Sequence, residues 1–126
     1  MAVIGVGIDL VTIARVERLL ARHGDRAMRR LFTDIERAYA STQALPAMHL
    51  AARIAAKEAA YKALSGDETA RGIGWREIEV TRLSDGRPLL RFHGAAATRF
   101  AALGGKSCHL SLTHSGGVAA AVVVLE

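Results

Sequence analysis

The stretch MHLAARIAAKEAAYKAL, residues 48–64, followed by Ser65-Gly66, decides the architecture. At about 100° per residue, Leu50, Ile54, Tyr61 and Leu64 share one side of a helix, and alanines cover nearly all the rest. A helix that is apolar almost all round is normally buried, so this segment predicts the central helix of a core. Its charges are confined to two narrow flanks, Arg53 with Lys57 and Glu58 with Lys62. Charged groups in such surroundings need partners, because unpaired buried charge is costly. The plain reading of Glu58 and Lys62 is an i,i+4 pair that contributes roughly a few tenths of a kcal/mol. The sharper reading is an acid beside a base at the wall of an anion site. A solvated basic face is the third option, and the alanine surround speaks against it.

Outward from this helix, the patterns change. Val3 to Leu10 is a short β-branched run ending in Gly-Ile-Asp and predicts a buried strand. Thr12 is positioned to cap a helix carrying Ile13, Val16, Leu19 and Leu20 at helical spacing, with a break at Gly24-Asp25. A second short helical pattern covers Leu31 to Tyr39 and is stopped by Leu45-Pro46. Downstream, Trp75–Leu83 and Leu89–His93 flank Ser84-Asp85-Gly86-Arg87, a hairpin signal. Gly94 to Leu103 reads as an alanine-rich helix, Cys108 to Thr113 as a half-buried strand, and Val118 to Leu125 as a final strand. Strands and helices mix without repeating as βα units. The pattern predicts a single α+β domain over residues 1–126, with a mainly antiparallel sheet packed on the long central helix.

Composition narrows the function. With 51% hydrophobic and 23% charged residues the chain is not disordered, and no apolar run reaches the ~20 residues of a bilayer-spanning helix. The apolar N-terminus lacks the basic start and small-residue cleavage site of a signal peptide, and a lone cysteine, Cys108, suits a reducing cytoplasm. A net charge of +5 favours an anionic partner: nucleic acid, an acidic protein, or a phosphate-rich small molecule. Aromatic residues make up only 5%, which is thin for stacking bases. The apolar surplus points to burial against further copies of the chain.

Two other segments carry chemistry. Asp9 closes an apolar strand in Gly7-Ile8-Asp9, and such a residue alone is more often a turn or cap. Two carboxylates together with substrate phosphates are a normal way to hold Mg²⁺. Asp9 and Glu58 lie far apart in the chain, however, and spacing alone does not bring them together. Ser111-Leu112-Thr113-His114-Ser115-Gly116-Gly117 offers hydroxyls and an imidazole without the Gly-x-Ser-x-Gly elbow of a serine hydrolase, so donors to a phosphate are the better reading. Cys108 falls on the apolar side of its strand and reads as core.

Taken in order, Gly5-Val6-Gly7-Ile8-Asp9-Leu10, Arg53-Ile54-Ala55-Ala56-Lys57-Glu58-Ala59 with Lys62-Ala63-Leu64-Ser65-Gly66, and Leu110-Ser111-Leu112-Thr113-His114 closely resemble the bacterial holo-acyl-carrier-protein synthases. These are the small class of 4'-phosphopantetheinyl transferases. The resemblance runs from Ile4 to about Glu126 and includes Gly72-Ile73-Gly74-Trp75 and Gly86-Arg87-Pro88. One departure is Ile54, where the family usually carries an aromatic residue.

The resemblance implies transfer of the 4'-phosphopantetheine arm of coenzyme A to a serine of an acyl carrier protein, releasing adenosine 3',5'-bisphosphate. It also implies a homotrimer with sites between neighbouring subunits. By position, Asp9 and Glu58 are the implied Mg²⁺ ligands. Glu58 or a metal-bound water is the implied base, Lys62 the group at the leaving phosphate, and Arg53 and His114 further phosphate contacts. The acidic carrier protein is expected on the first helix, where Arg15, Arg18, Arg22, Arg26 and Arg29 span an arc of about 80° if the helix survives Gly24. Two rivals stay open: an RNA-binding basic module, which gives no reason for paired acids in a basic site, and a carrier-protein scaffold that has lost catalysis.

Overall fold

Helix α3 (Pro46–Leu64) is the axis of the molecule in a computed structural model that describes residues 2–66 and 68–126, the side chain of Thr69 apart. Pro46 stands in its first turn, where a missing N–H costs nothing, while the preceding helix has already ended at Ser41. Leu50, Ile54, Leu64 and the alanines from 51 to 63, Ala52 excepted, are buried, as the all-round apolar pattern requires. Tyr61 departs from that pattern and is exposed.

Strand β1 (Gly5–Thr12) leads into α1 (Ile13–Leu31) and α2 (Asp34–Ser41) before α3, and β2 (Ile78–Arg82), β3 (Pro88–Phe92), α4 (Gly94–Ala102), β4 (Cys108–Ser115) and β5 (Val118–Leu125) follow it. Short 3₁₀ turns at Glu68–Gly72 and Trp75–Glu77 bridge α3 to β2. The strands form two antiparallel sheets, β1-β5-β4 and the hairpin β2-β3, so the α+β class is as expected. No helix among the described residues is long and apolar enough to cross a membrane.

The three-stranded sheet lays one face on α3. There the sequence alternates Gly5, Gly7, Asp9, and the two glycines are a matter of distance. A Cβ on Gly7 would stand 1.7 Å from the Ala59 carbonyl oxygen, and one on Gly5 would stand 2.3 Å from that of Ala63. Glycine on the strand and alanine on the helix let the two backbones nearly touch, and Asp9 is the next residue on that face.

The other face corrects the sequence reading. β1 is not buried on both sides: Ile8 is 63% and Leu10 67% exposed, and Val6 and Val122 of β5 lie open on the same outer surface. Cys108 sits on the inner face, partly buried against the core, and burial pushes its thiol up to about 11.

Two further corrections concern α1. Thr12 occupies the N-cap position, but its hydroxyl makes no capping bond. Gly24, at φ 50° and ψ −131°, breaks the helical path, so Arg15, Arg18 and Arg22 precede a kink and Arg26 and Arg29 follow it. The five arginines therefore do not form one continuous stripe.

The firmest polar joint in the core is Lys57 with Glu36. Their side chains are 1% and 0% exposed, with Nζ 2.8 Å from Glu36 Oε1. Lys57 also donates to the carbonyls of Trp75 (2.7 Å) and Ile78 (2.5 Å), while Glu36 accepts from the backbone N–H groups of Thr33 and Val80. Every charge of the pair is answered, which a buried ion pair requires to be tolerated. The joint ties α2, α3, β2 and the Trp75 turn together. It is also the first half of a capping box, because Thr33 returns a bond to the Glu36 N–H.

Candidate active site

Asp9, Glu58 and Lys62 meet where β1 crosses α3. Lys62 Nζ lies 2.8 Å from Asp9 Oδ1 and donates to the Ile8 carbonyl at 2.9 Å, so it reaches across to the strand and does not pair with Glu58 along its own helix. The plain i,i+4 reading gives way to a contact between elements. Arg15, at the start of α1, approaches Glu58 Oε1 at 4.0 Å.

Two carboxylates in one corner cannot both ionise freely. Burial, then the hydrogen bond and charge of Asp9, lift Glu58 from its ordinary value to about 7, against the pull of Arg15 and Lys62. Burial works in the same sense on Asp9 but is outweighed by hydrogen bonds from Glu58 and Lys62 and by the Lys62 and Arg15 charges, which hold it below its usual value. Glu58 thus keeps its proton more readily than an ordinary glutamate, and Asp9 gives its proton up more readily than an ordinary aspartate. Asp9 Oδ2 is buried and meets no fixed N–H or O–H donor.

A buried carboxylate oxygen that no fixed N–H group reaches, beside a second carboxylate, fits a divalent cation. Among the described residues no cluster of three acidic, histidine or cysteine side chains forms, so the protein offers two ligands and leaves the remaining positions to water and substrate oxygens. That is the habit of Mg²⁺, a hard ion that gives up its waters reluctantly. Glu58 and Lys62 open on a cleft of about 400 Å³ whose walls include Tyr61, Arg71, Ile73 and Trp75.

Arg53 and His114 stand elsewhere. Neither borders that cleft. Arg53 is buried, with its guanidinium 4.3 Å from the centre of the Tyr39 ring, while Arg82 lies 4.6 Å from the same ring. Arg53 donates to the His49 carbonyl at 3.2 Å, and its Nε is buried without a partner. His49 packs edge-on against Tyr39, and burial together with the charges of Arg53, Arg82 and His114 holds its imidazole below the ordinary value. Two sites of opposite character result: an acidic corner with one lysine, and a cationic patch around Tyr39.

Sequence reasoning assigned Lys57 to a charged flank and did not pair it. Its partner Glu36 lies on another helix, and only the capping-box spacing Thr33-x-x-Glu36 would have marked that acid.

The sequence pattern of the 4'-phosphopantetheinyl transferase superfamily matches residues 5–123. The chain belongs to this family. The holo-[acyl-carrier-protein] synthase of Alkalilimnicola ehrlichii is 50% identical over 125 residues, spanning 98% of this chain and 97% of its own. The crystal structure of the Neisseria meningitidis holo-[acyl-carrier-protein] synthase is similar at a TM-score of 0.87 and 27% identity, covering 99% of both chains. The ACPS–CoA complex of Chronobacterium ammoniagenes is similar at a TM-score of 0.84 and 32% identity, over 99% of this chain and 97% of that one. The resemblance carried by the Gly5–Leu10, Arg53–Gly66 and Leu110–His114 motifs is thereby borne out.

Proposed function

We propose that this protein transfers the 4'-phosphopantetheine group of coenzyme A to a serine of an apo acyl carrier protein, giving the holo carrier and adenosine 3',5'-bisphosphate. The observation that carries the reading is the Asp9–Glu58–Lys62 corner in a member of this transferase family. Residues 1–126 then act as one transferase domain. The nucleophile comes from the carrier, which agrees with a corner built from two acids and a lysine.

Asp9 and Glu58 are the proposed Mg²⁺ ligands; when bound, the ion would neutralise charge on the coenzyme A pyrophosphate and help align it. The carrier's serine oxygen attacks the phosphorus bearing the pantetheine arm, and the phosphoanhydride bond to adenosine bisphosphate breaks. The serine proton passes to Glu58, or to a water beside it. Lys62, half-exposed and aimed into the same corner, stabilises the departing phosphate oxygen.

Arg53 and His114 contribute phosphate contacts in this reading, but from the cationic patch around Tyr39. A homotrimer accounts for that separation, since a neighbouring subunit's patch can complete the acidic corner. The open apolar surface of Val6, Ile8, Leu10 and Val122 supports such an assembly. The acidic carrier is assigned to α1, where Arg15, Arg18 and Arg22 rim a groove floored by Val16, Leu19 and Ile54. The unpaired Cys108 agrees with work in the cytoplasm, where thiols stay reduced.

The test is mass spectrometry of an apo acyl carrier protein incubated with this protein, coenzyme A and Mg²⁺. A mass gain equal to the phosphopantetheine arm is expected, and it should vanish with EDTA. No gain across carriers and conditions would overturn the reading.

A further inference from the structure

The chain contains one tryptophan, Trp75, and its placement is unusual. It lines the cleft that holds Glu58 and Lys62, and also the two grooves along α1, one rimmed by Arg15, Arg18 and Arg22 and the other by Arg26 and Arg30. No other described residue is common to all three. Trp75 is therefore the partition between the reactive corner and the α1 surface.

That partition is held from beneath. The Trp75 carbonyl accepts from the buried Lys57 Nζ at 2.7 Å, and Lys57 is locked by Glu36. On its N-terminal side, the Gly74 N–H donates to Glu77 Oε1 at 2.8 Å. An exposed tryptophan on so firmly anchored a backbone is ill explained as packing, because the residue stays 36% open while Lys57 beneath it is already sealed. Large aromatic side chains with a polar edge are the residues most enriched among energetically dominant contacts at binding surfaces.

We infer that Trp75 is a contact residue for both substrates: it bears on the acidic carrier protein from the α1 side and on the pantetheine arm of coenzyme A from the Glu58 side. It thereby sets where the carrier's serine enters the corner. This inference rests on the transferase reading above. Its physical content is that one rigid ring supplies apolar contact to two ligands in turn, with little side-chain freedom left to lose on binding. A carrier seated on α1 without that contact would leave its serine free to wander, and small misplacements of reacting groups cost rate steeply.

The single tryptophan makes the test direct. Trp75 emission is recorded while the Mg²⁺-loaded protein is titrated separately with coenzyme A and with an apo carrier protein that lacks tryptophan. Each ligand alone is expected to shift or quench the emission. In steady-state assays of carrier modification, Trp75→Ala is expected to raise KM for both substrates, on the order of tenfold for the carrier, and Trp75→Phe to restore most of the loss. A purely structural role would lower the folded fraction and leave both KM values unchanged. Should Trp75→Ala fail to fold, the two titrations decide alone. Transfer activity with emission that ignores either ligand, or a folded Trp75→Ala variant with both KM values within twofold of wild type, overturns the inference and leaves the transferase reading standing. Absence of any mass gain on the carrier overturns both.

Discussion

Replacing Gly7 by alanine adds one methyl group at the seam between β1 and α3, and the expected damage exceeds what its size implies. The new Cβ would sit 1.7 Å from the Ala59 carbonyl oxygen, a backbone atom that no rotamer change can move. Reaching 3.0 Å, the closest approach that real Cβ atoms make, requires the strand and helix to part by at least about 1.3 Å. Overpacking of this kind costs about 1–3 kcal/mol, and the rigid neighbour argues for the upper end. Activity should suffer more than stability. Asp9 is two residues further on the same face, so the displacement is passed to its distance from Glu58 and Lys62, and a misplacement of about 1 Å in a reacting group can cost about 100-fold in rate. Gly5→Ala meets a milder clash, 2.3 Å from the Ala63 oxygen, and lies two residues further from Asp9, so its loss of kcat should be smaller. Urea unfolding followed by Trp75 fluorescence gives the stability change as a shift in midpoint at constant slope, and the carrier mass assay gives the rate. A Gly7→Ala protein with the wild-type midpoint and kcat would refute the claim that glycine is there for proximity.

Other consequences are as definite. Lys57→Met strips the counter-charge from a buried Glu36 and should cost about 3–5 kcal/mol, with Glu36→Gln in the same chain recovering much of it; a single-variant loss under about 1 kcal/mol in urea would contradict the buried-pair account. For Glu58 the folded value of about 7 lies above the ordinary 4.5, so its stabilising contribution is complete below 4.5 and is lost as pH rises through 7. Metal-free wild type should therefore lose melting temperature between these values while Glu58→Gln loses less, and Mg²⁺ at pH 8 should raise the wild-type midpoint more than that of the variant; parallel profiles would contradict this. Lys62→Ala should lower kcat by about 100-fold with little change in KM for coenzyme A, and a loss confined to KM would mean it binds the ground state. Arg22→Glu should raise KM for the carrier most strongly at low salt and leave KM for coenzyme A alone, whereas Arg15→Glu, whose guanidinium also touches Glu58, should disturb kcat as well.

What the sequence made legible followed from periodicity within single elements. The alanine-lined helix from residue 48 to 64 declared its own burial, and the Ser84–Arg87 turn declared its hairpin, because both signals are local. The contact of Lys62 with β1 is not legible, because a helix projection offers only Glu58 as its neighbour, and the fold alone brings Asp9 Oδ1 and the Ile8 carbonyl within reach. The outward face of β1 was hidden for a different reason. Gly5 and Gly7 count as weakly apolar, so their alternation with Val6 and Ile8 read as one continuous run, although the larger residues are the exposed ones. The arginine arc along α1 failed at Gly24, whose dihedrals admit no helix. The motifs that name Arg53 and His114 as phosphate contacts do not say where in the fold they stand, and helix geometry puts Arg53 on the Tyr39 side of α3.

The pairing of β1 also bears on how the chain acquires its site during synthesis. β1 is made long before β5, residues 118–125, which is its one strand partner among the described residues. An isolated strand has only water for its backbone groups and gains nothing by staying extended, and closing so long a loop is entropically slow. Helix α3 can form early from its own local contacts and present Glu58, but Asp9 has no fixed position against it until the final strand has slotted between β1 and β4. Ribosome-bound chains that stop before residue 118 should hold a helical core without the acidic corner. Residues 118–125 thus determine when Asp9, more than a hundred positions earlier, becomes useful.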